Sequence, residues 1–279
     1  MVLEDIRTCP TYVINLDRRP DRWKAVSSQP ALKEFTQLER FSAIDGKTLD
    51  IYKDDRISLH TRENIKANYR RSHYEINTGG AIGASFSHIT LWQNFLKGDA
   101  EYLVVFEDDT IVDSDSLFII DKLIPTLPEG QWDMWLLGTH RWGLDGTPVV
   151  KGDLKHWWNV SSFTGAHAYV LSRHGASLLL KNPFPIETHI EYYICNCAKF
   201  KGLKLVKHWA LRMTYFAEAT EVADSDTFLN RQTCPLCAIP DDPMYYGLFL
   251  TYDQMVMLLA IGLASVGVWV ALNKTNSNR

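Results

Sequence analysis

The stretch Tyr102-Leu-Val-Val-Phe-Glu-Asp-Asp109 constrains the fold more than any other part of the chain. Its apolar half, rich in β-branched and aromatic residues, predicts a strand buried on both faces. Such strands belong to α/β proteins, whose ligands gather at the carboxyl ends of the strands. At that end stand three consecutive carboxylates, Glu107, Asp108 and Asp109. They repel one another unless a cation lies between them, and carboxylate oxygens suit a hard ion such as Mn2+ or Mg2+. An acidic turn that merely ends a strand is the competing reading. The segments around this one decide between them.

Thr11–Leu16 reads as a first strand running into Asp17-Arg-Arg-Pro-Asp-Arg22, where Pro20 suits the first turn of a helix. Residues 40–45 read as a second strand, and residues 47–77 as a polar surface excursion with weak helical signals. Gly79 and Gly80 open a helix that carries His88. Residues 116–127 read as a further helix, Trp132–Leu137 and Thr164–Leu171 as strands, and Leu203–Lys207 as a late strand. Ser172 caps a helix over Arg173–Leu180, and Pro185–Cys197 reads as helical. Strands alternating with helices predict an α/β fold with a mainly parallel sheet flanked by helices.

The formal net charge of −4 gives no basic footprint, so nucleic acid is not an expected partner. Residues 1–10 lack the apolar core of a signal peptide, so the domain is expected to face the cytosol. The five cysteines are then expected to be mostly reduced thiols. Met255–Leu272 is an uncharged apolar run, long enough at about 1.5 Å per residue to cross a bilayer core. It predicts a single-pass C-terminal membrane anchor. Small residues four apart, at Ala260/Ala264 and Gly267/Ala271, would let two such helices pair, and hence a homodimer form. The expected organisation is a catalytic domain over 1–232, a linker over 233–252 and a transmembrane helix over 253–273.

Several groups point to a charged ligand. Arginines just past the first strand, Arg18 and Arg22 among them, can fork onto phosphate, and Asn15, Asp17 or Asp45 can take a ribose or base. Gly80 and Gly83 would let a backbone approach an anion at a helix start. His88 would reach donor or acceptor. A solvated helix start and a satisfied structural histidine are the plain alternatives.

Five blocks together resemble glycosyltransferase family 25, the lipooligosaccharide and procollagen galactosyltransferase group. They are Val13-Ile-Asn-Leu-Asp-Arg-Arg-Pro-Asp-Arg22, Ala43-Ile-Asp-Gly46, Gly80-Ala-Ile-Gly-Ala-Ser-Phe-Ser-His88, Val105-Phe-Glu-Asp-Asp109, and Ala168-Tyr-Val-Leu-Ser172 with Gly175-Ala176. The resemblance covers about Thr11 to Leu229. It implies a GT-A-type, Rossmann-like domain that moves galactose or glucose from a UDP-sugar to a glycan or protein hydroxyl, with inversion. It implies Glu107 and Asp109 as metal ligands and Asp108 near the ribose. It implies a general base in Pro185-Ile-Glu187-Thr-His-Ile-Glu191, where Glu187 stands at the family's Asp position, with Glu191 and His189 as the other candidates. If that stretch is helical, Glu187 and Glu191 share a face. A catalytically inactive, membrane-anchored relative is the alternative from a different class, and a metal-dependent nucleotidyltransferase a third. A procollagen-like sequence with a tail anchor and no signal peptide would also suit a large DNA virus.

Overall fold

The computed structural model describes residues 2–128, 130–140, 145–149, 156–211 and 213. The expected linker and membrane helix over 233–273 lie outside these residues. Among the described residues no helix is long and apolar enough to cross a membrane.

The strands are β1 (Thr11–Asn15), β2 (Leu38–Ser42), β3 (Tyr102–Glu107), β4 (Met134–Gly138), β5 (Asp145–Pro148), β6 (Trp157–Ser162), β7 (Ala168–Ser172) and β8 (Leu205–His208). The helices are α1 (Pro20–Ser27), α2 (Leu59–Ala67), α3 (Gly79–Lys97), α4 (Ser114–Leu123), α5 (Arg173–Leu179) and α6 (Ile190–Lys201). The strands form one sheet in the order β2-β1-β3-β7-β4-β8-β6-β5.

Apolar alternation on the central strands feeds two cores. Val13, Val104, Phe106, Trp135 and Val170 pack against Val26 of α1 and Leu117 and Ile120 of α4. Ile14, Leu103, Val105, Leu136, Tyr169 and Leu171 face α3, α5 and α6. A strand buried on both sides needs apolar residues at every position, and β4 (Met-Trp-Leu-Leu-Gly) is buried throughout. Helix starts are set by short polar caps. Thr78 accepts from the Ala81 N–H, Asp113 from Ser116 and Ser172 from Gly175.

Three expectations are corrected. The sheet is mixed: β1–β2, β1–β3 and β4–β8 are parallel, but β3–β7, β4–β7, β5–β6 and β6–β8 are antiparallel. Residues 163–167 deliver β7 at the carboxyl end of β3, so β7 runs backwards between β3 and β4. The 47–77 excursion is not confined to the surface. It contains α2 and buries Ile51, Ile57, Ile76, Arg70 and Glu75. The helix expected over 185–197 begins only at Ile190. Before it, Ile186 bridges Ile57 and Thr188 bridges Glu75, so the backbone of 186–188 is engaged by the excursion instead of by a helical turn.

Candidate active site at the carboxyl ends of the parallel strands

β1 has β2 on one side and β3 on the other, so the chain leaves it in both directions. Ligand crevices form at such switch points, beyond the carboxyl ends of the strands. Asn15 closes β1 and Glu107 closes β3 at this place.

The acidic segment is a fixed turn. The Thr110 N–H donates to the Glu107 carbonyl at 3.1 Å, and the Glu107 N–H to the His167 carbonyl at 2.8 Å. The Thr110 hydroxyl donates to that same carbonyl at 2.7 Å, and Gln29 Nε2 donates to the Thr110 carbonyl at 2.8 Å. Each carboxylate meets a different environment. Glu107 Oε1 lies 3.2 Å from His88 Nε2. Burial pushes this carboxyl up, but the His88 bond, with His167 and His140 nearby, holds it below the usual range. Asp108 is bound on both oxygens, by Asn15 Nδ2 at 2.6 Å and Arg22 Nη1 at 3.1 Å. Burial still leaves its pKa raised. Asp109 is pushed up to about 7, by burial first and then by the charges of Glu107 and Asp108. Its Oδ1 is buried with no hydrogen-bond partner.

That orphaned oxygen is what a cation site would leave in a protein chain by itself. Among the described residues no group of three His, Cys, Asp or Glu converges on a metal position. Two carboxylates are nevertheless a sufficient protein contribution for an ion that takes its other oxygens from a diphosphate and water. Glu107 and Asp109 fit that role.

The remaining expected residues divide. Arg22 lies at the crevice between Asp108 and the charge of Asp109. Arg18 pairs with Asp45 at 2.6 Å on the rim of β2. Asp17 is held by Arg40 at 2.7 Å and by the Ser42 hydroxyl at 2.8 Å, and this exposed pair lowers its pKa. Arg40 also donates to Asn15 Oδ1 at 2.7 Å, which ties the rim to Asp108.

Gly83 serves packing. A Cβ there would meet the Ile44 carbonyl at 2.3 Å, and one at Gly46 would meet the Gly79 carbonyl at 1.7 Å. The backbone of 44–46 thus lies in the space where an anion was expected over the start of α3. Gly80 is half-buried in the same turn.

Of the three candidate bases, Glu187 is exposed before α6. His189 belongs to another neighbourhood: its N–H donates to the Tyr74 carbonyl, and burial, with the charge of Arg70, lowers its pKa to about 3. Glu191, in the first turn of α6, accepts from the Gly165 N–H at 3.2 Å, and burial first, then the Glu107 charge, raise its pKa. The helical pairing of Glu187 with Glu191 is not formed, because Glu187 precedes the helix.

Sequence reasoning missed His140, His167, Tyr169 and Arg40. The rings of His140 and His167 lie 6.1 Å apart beside the acidic turn. His167 could have been found as the polar residue that interrupts the apolar run into β7. Nothing in the sequence singles out His140.

Residues 8–142 match the model of a family described as Glycosyltransferase family 25 (LPS biosynthesis protein). Over 176 residues the chain is 26% identical to a Bos taurus protein named "Probable inactive glycosyltransferase 25 family member 3", covering 61% of this chain and 28% of that protein. It is 23% identical over 184 residues to "Procollagen galactosyltransferase 2" of Homo sapiens, covering 62% and 28%. It is 28% identical over 141 residues to a putative glycosyltransferase of Acanthamoeba polyphaga mimivirus, covering 50% and 39%. The chain therefore matches well under half the length of each of these relatives. With β1, the arginines after it, the first turns of α3 and the acidic end of β3 all inside the matched residues, the chain is similar to glycosyltransferase family 25 over just under half of its length.

Proposed function

We propose that the chain is a metal-dependent glycosyltransferase that moves a hexose, galactose or glucose, from a UDP-sugar to a glycan or protein hydroxyl with inversion. One observation carries this reading: Asp109 Oδ1, buried without a hydrogen-bond partner, at a switch point shared with Glu107 and Asp108. Glu107 and Asp109 would hold Mn2+ or Mg2+, which supplies Lewis-acid neutralisation of the departing diphosphate. Arg22 adds a guanidinium to the same charge. Asn15 and Asp108 hold Arg22 and the first strand in register. Asp17, Arg18 and Asp45 form a polar rim suited to the nucleoside.

Glu191 is the general base we favour. It feels the Glu107 charge, and burial makes it a stronger proton acceptor once ionised. The test is UDP release by the full chain against a panel of UDP-sugars, with and without Mn2+, beside Asp109→Ala and Glu191→Gln. Metal-dependent release from one donor, lost in both variants, is expected. Release of a nucleotidyl product instead of free UDP and transferred hexose would overturn it.

A second reading, an inactive family member acting as a binding protein, is favoured by the exposure of Glu187 at the family's base position. It predicts Mn2+-dependent UDP binding without turnover. In either case a helix over 253–273 would hold the domain at a membrane facing the cytosol. Partition of the full chain into alkali-washed vesicles tests that, and recovery in the soluble fraction would sink it.

A further inference from the structure

Behind the acidic turn runs a buried chain of side chains that the proposed reaction does not use directly. Trp92 of α3 places Nε1 2.9 Å from the Tyr169 hydroxyl on β7. That hydroxyl lies 2.9 Å from His88 Nδ1, and His88 Nε2 lies 3.2 Å from Glu107 Oε1. Trp92, His88 and Tyr169 are all buried.

For a neutral His88 ring, the proton inventory fixes the direction of every bond. Indole N–H can only donate, so the Tyr169 oxygen accepts from Trp92. Tyr169 has one proton of its own, and His88 Nδ1 is the acceptor that the geometry offers it. The imidazole proton then sits on Nε2 and points at Glu107. The opposite tautomer would aim a nitrogen lone pair at a carboxylate and leave the phenol proton with no acceptor in this chain of bonds.

We propose that Tyr169, backed by Trp92, is a positioning residue that locks His88 in the Nε2–H tautomer and so fixes the orientation of Glu107 as a ligand. The second clause rests on the metal reading above; the tautomer assignment does not. Partners behind a ligand commonly set its orientation, and removing one weakens metal binding about 10- to 100-fold. Here the partner stands two bonds behind the carboxylate, on a different strand, and holds it through a histidine.

The experiment is 15N NMR of the histidine rings in the full chain, compared with Tyr169→Phe and Trp92→Phe. His88→Gln identifies the His88 signal. The expected result is a His88 ring protonated on Nε2 in the native chain, with that preference lost in Tyr169→Phe and weakened in Trp92→Phe. A ring protonated on Nδ1, alone or together with Nε2, would overturn the assignment. So would a spectrum unchanged by Tyr169→Phe in a variant whose far-UV circular dichroism is native.

Mn2+ titration is run in parallel by electron paramagnetic resonance. A loss of about 10-fold or more in Mn2+ affinity in Tyr169→Phe is expected. Unchanged affinity there, with native binding intact, would overturn the role assigned to Tyr169. No Mn2+ binding by the native chain would overturn the metal reading and leave the tautomer result standing by itself.

Discussion

Two carboxylates, buried Glu75 and half-buried Asp109, meet opposite surroundings. Glu75 lies in the 47–77 excursion, where Arg71 and His60 both bind it. Its Oε2 accepts from the Arg71 N–H at 2.7 Å. Burial pushes its pKa up, but these bonds outweigh it and the carboxyl titrates below the usual range. Asp109 has its Oδ1 buried beside two more carboxylates, and its pKa rises. Nature solves the burial of charge by pairing it at Glu75; at Asp109 it leaves the pairing undone. A paired carboxylate contributes to stability, whereas a carboxylate among its like keeps its repulsion.

The sharpest way to break the comparison is to delete both. Asp109→Ala should lower metal-dependent UDP release by at least about 100-fold, roughly 3 kcal/mol in the barrier. Its melting temperature without metal should hold or rise, because a repulsion is removed. A clear loss of thermal stability would contradict the repulsion. Glu75→Ala should do the reverse. We expect about 2 to 3 kcal/mol lost in urea unfolding, from hydrogen bonds made to a charged group. UDP binding by whatever remains folded should be native.

Acid sharpens the contrast around Glu75. His189 packs against the same excursion, and its folded pKa of about 3 lies below the ordinary value of 6.5. Between those two values the unfolded chain takes up a proton that the folded chain refuses. The stability is therefore fully present above about pH 6.5 and drains away as pH falls towards 3. Depressed Glu75 acts in the same direction lower down. His189→Leu should flatten the slope of unfolding free energy by at most about 1.4 kcal/mol per pH unit in that window. An unchanged slope between pH 6.5 and 4 would remove His189 from the account.

The smallest effect belongs to the rim. Arg18 and Asp45 are both partly solvated, and such a pair contributes under about 1 kcal/mol. Arg18→Ala should leave the melting temperature nearly unchanged and weaken UDP binding, read by calorimetry. Unchanged UDP affinity would take Arg18 out of the nucleoside rim.

How much of this was legible depended on whether local pattern or long-range placement decided it. β1, β3 and β4 could be read as apolar runs because burial on both faces leaves a pattern within a few residues. The direction of β7 could not, since an apolar run reads the same whichever way its neighbours point. The acidic turn and Arg22 were legible as charges where a strand stops. Glu187 and Glu191 could not be told apart, because the backbone partners that unwind 186–188 come from Ile57 and Glu75, more than a hundred residues earlier. The glycines at 79–83 announced a close approach correctly, but what approaches is the chain's own backbone.

That last contact bears on how such a domain changes over generations. Gly46 and Gly83 interlock the loop carrying Asp45 with the helix carrying His88, backbone against backbone, with no side chain that could be trimmed to make room. Any larger residue there must part the two. Variation is thereby steered to the solvated rim, at Arg18 and Asp17, where a substitution meets mainly water. A lineage can vary the rim while the loop and the helix packed beneath the carboxylates are inherited as one piece.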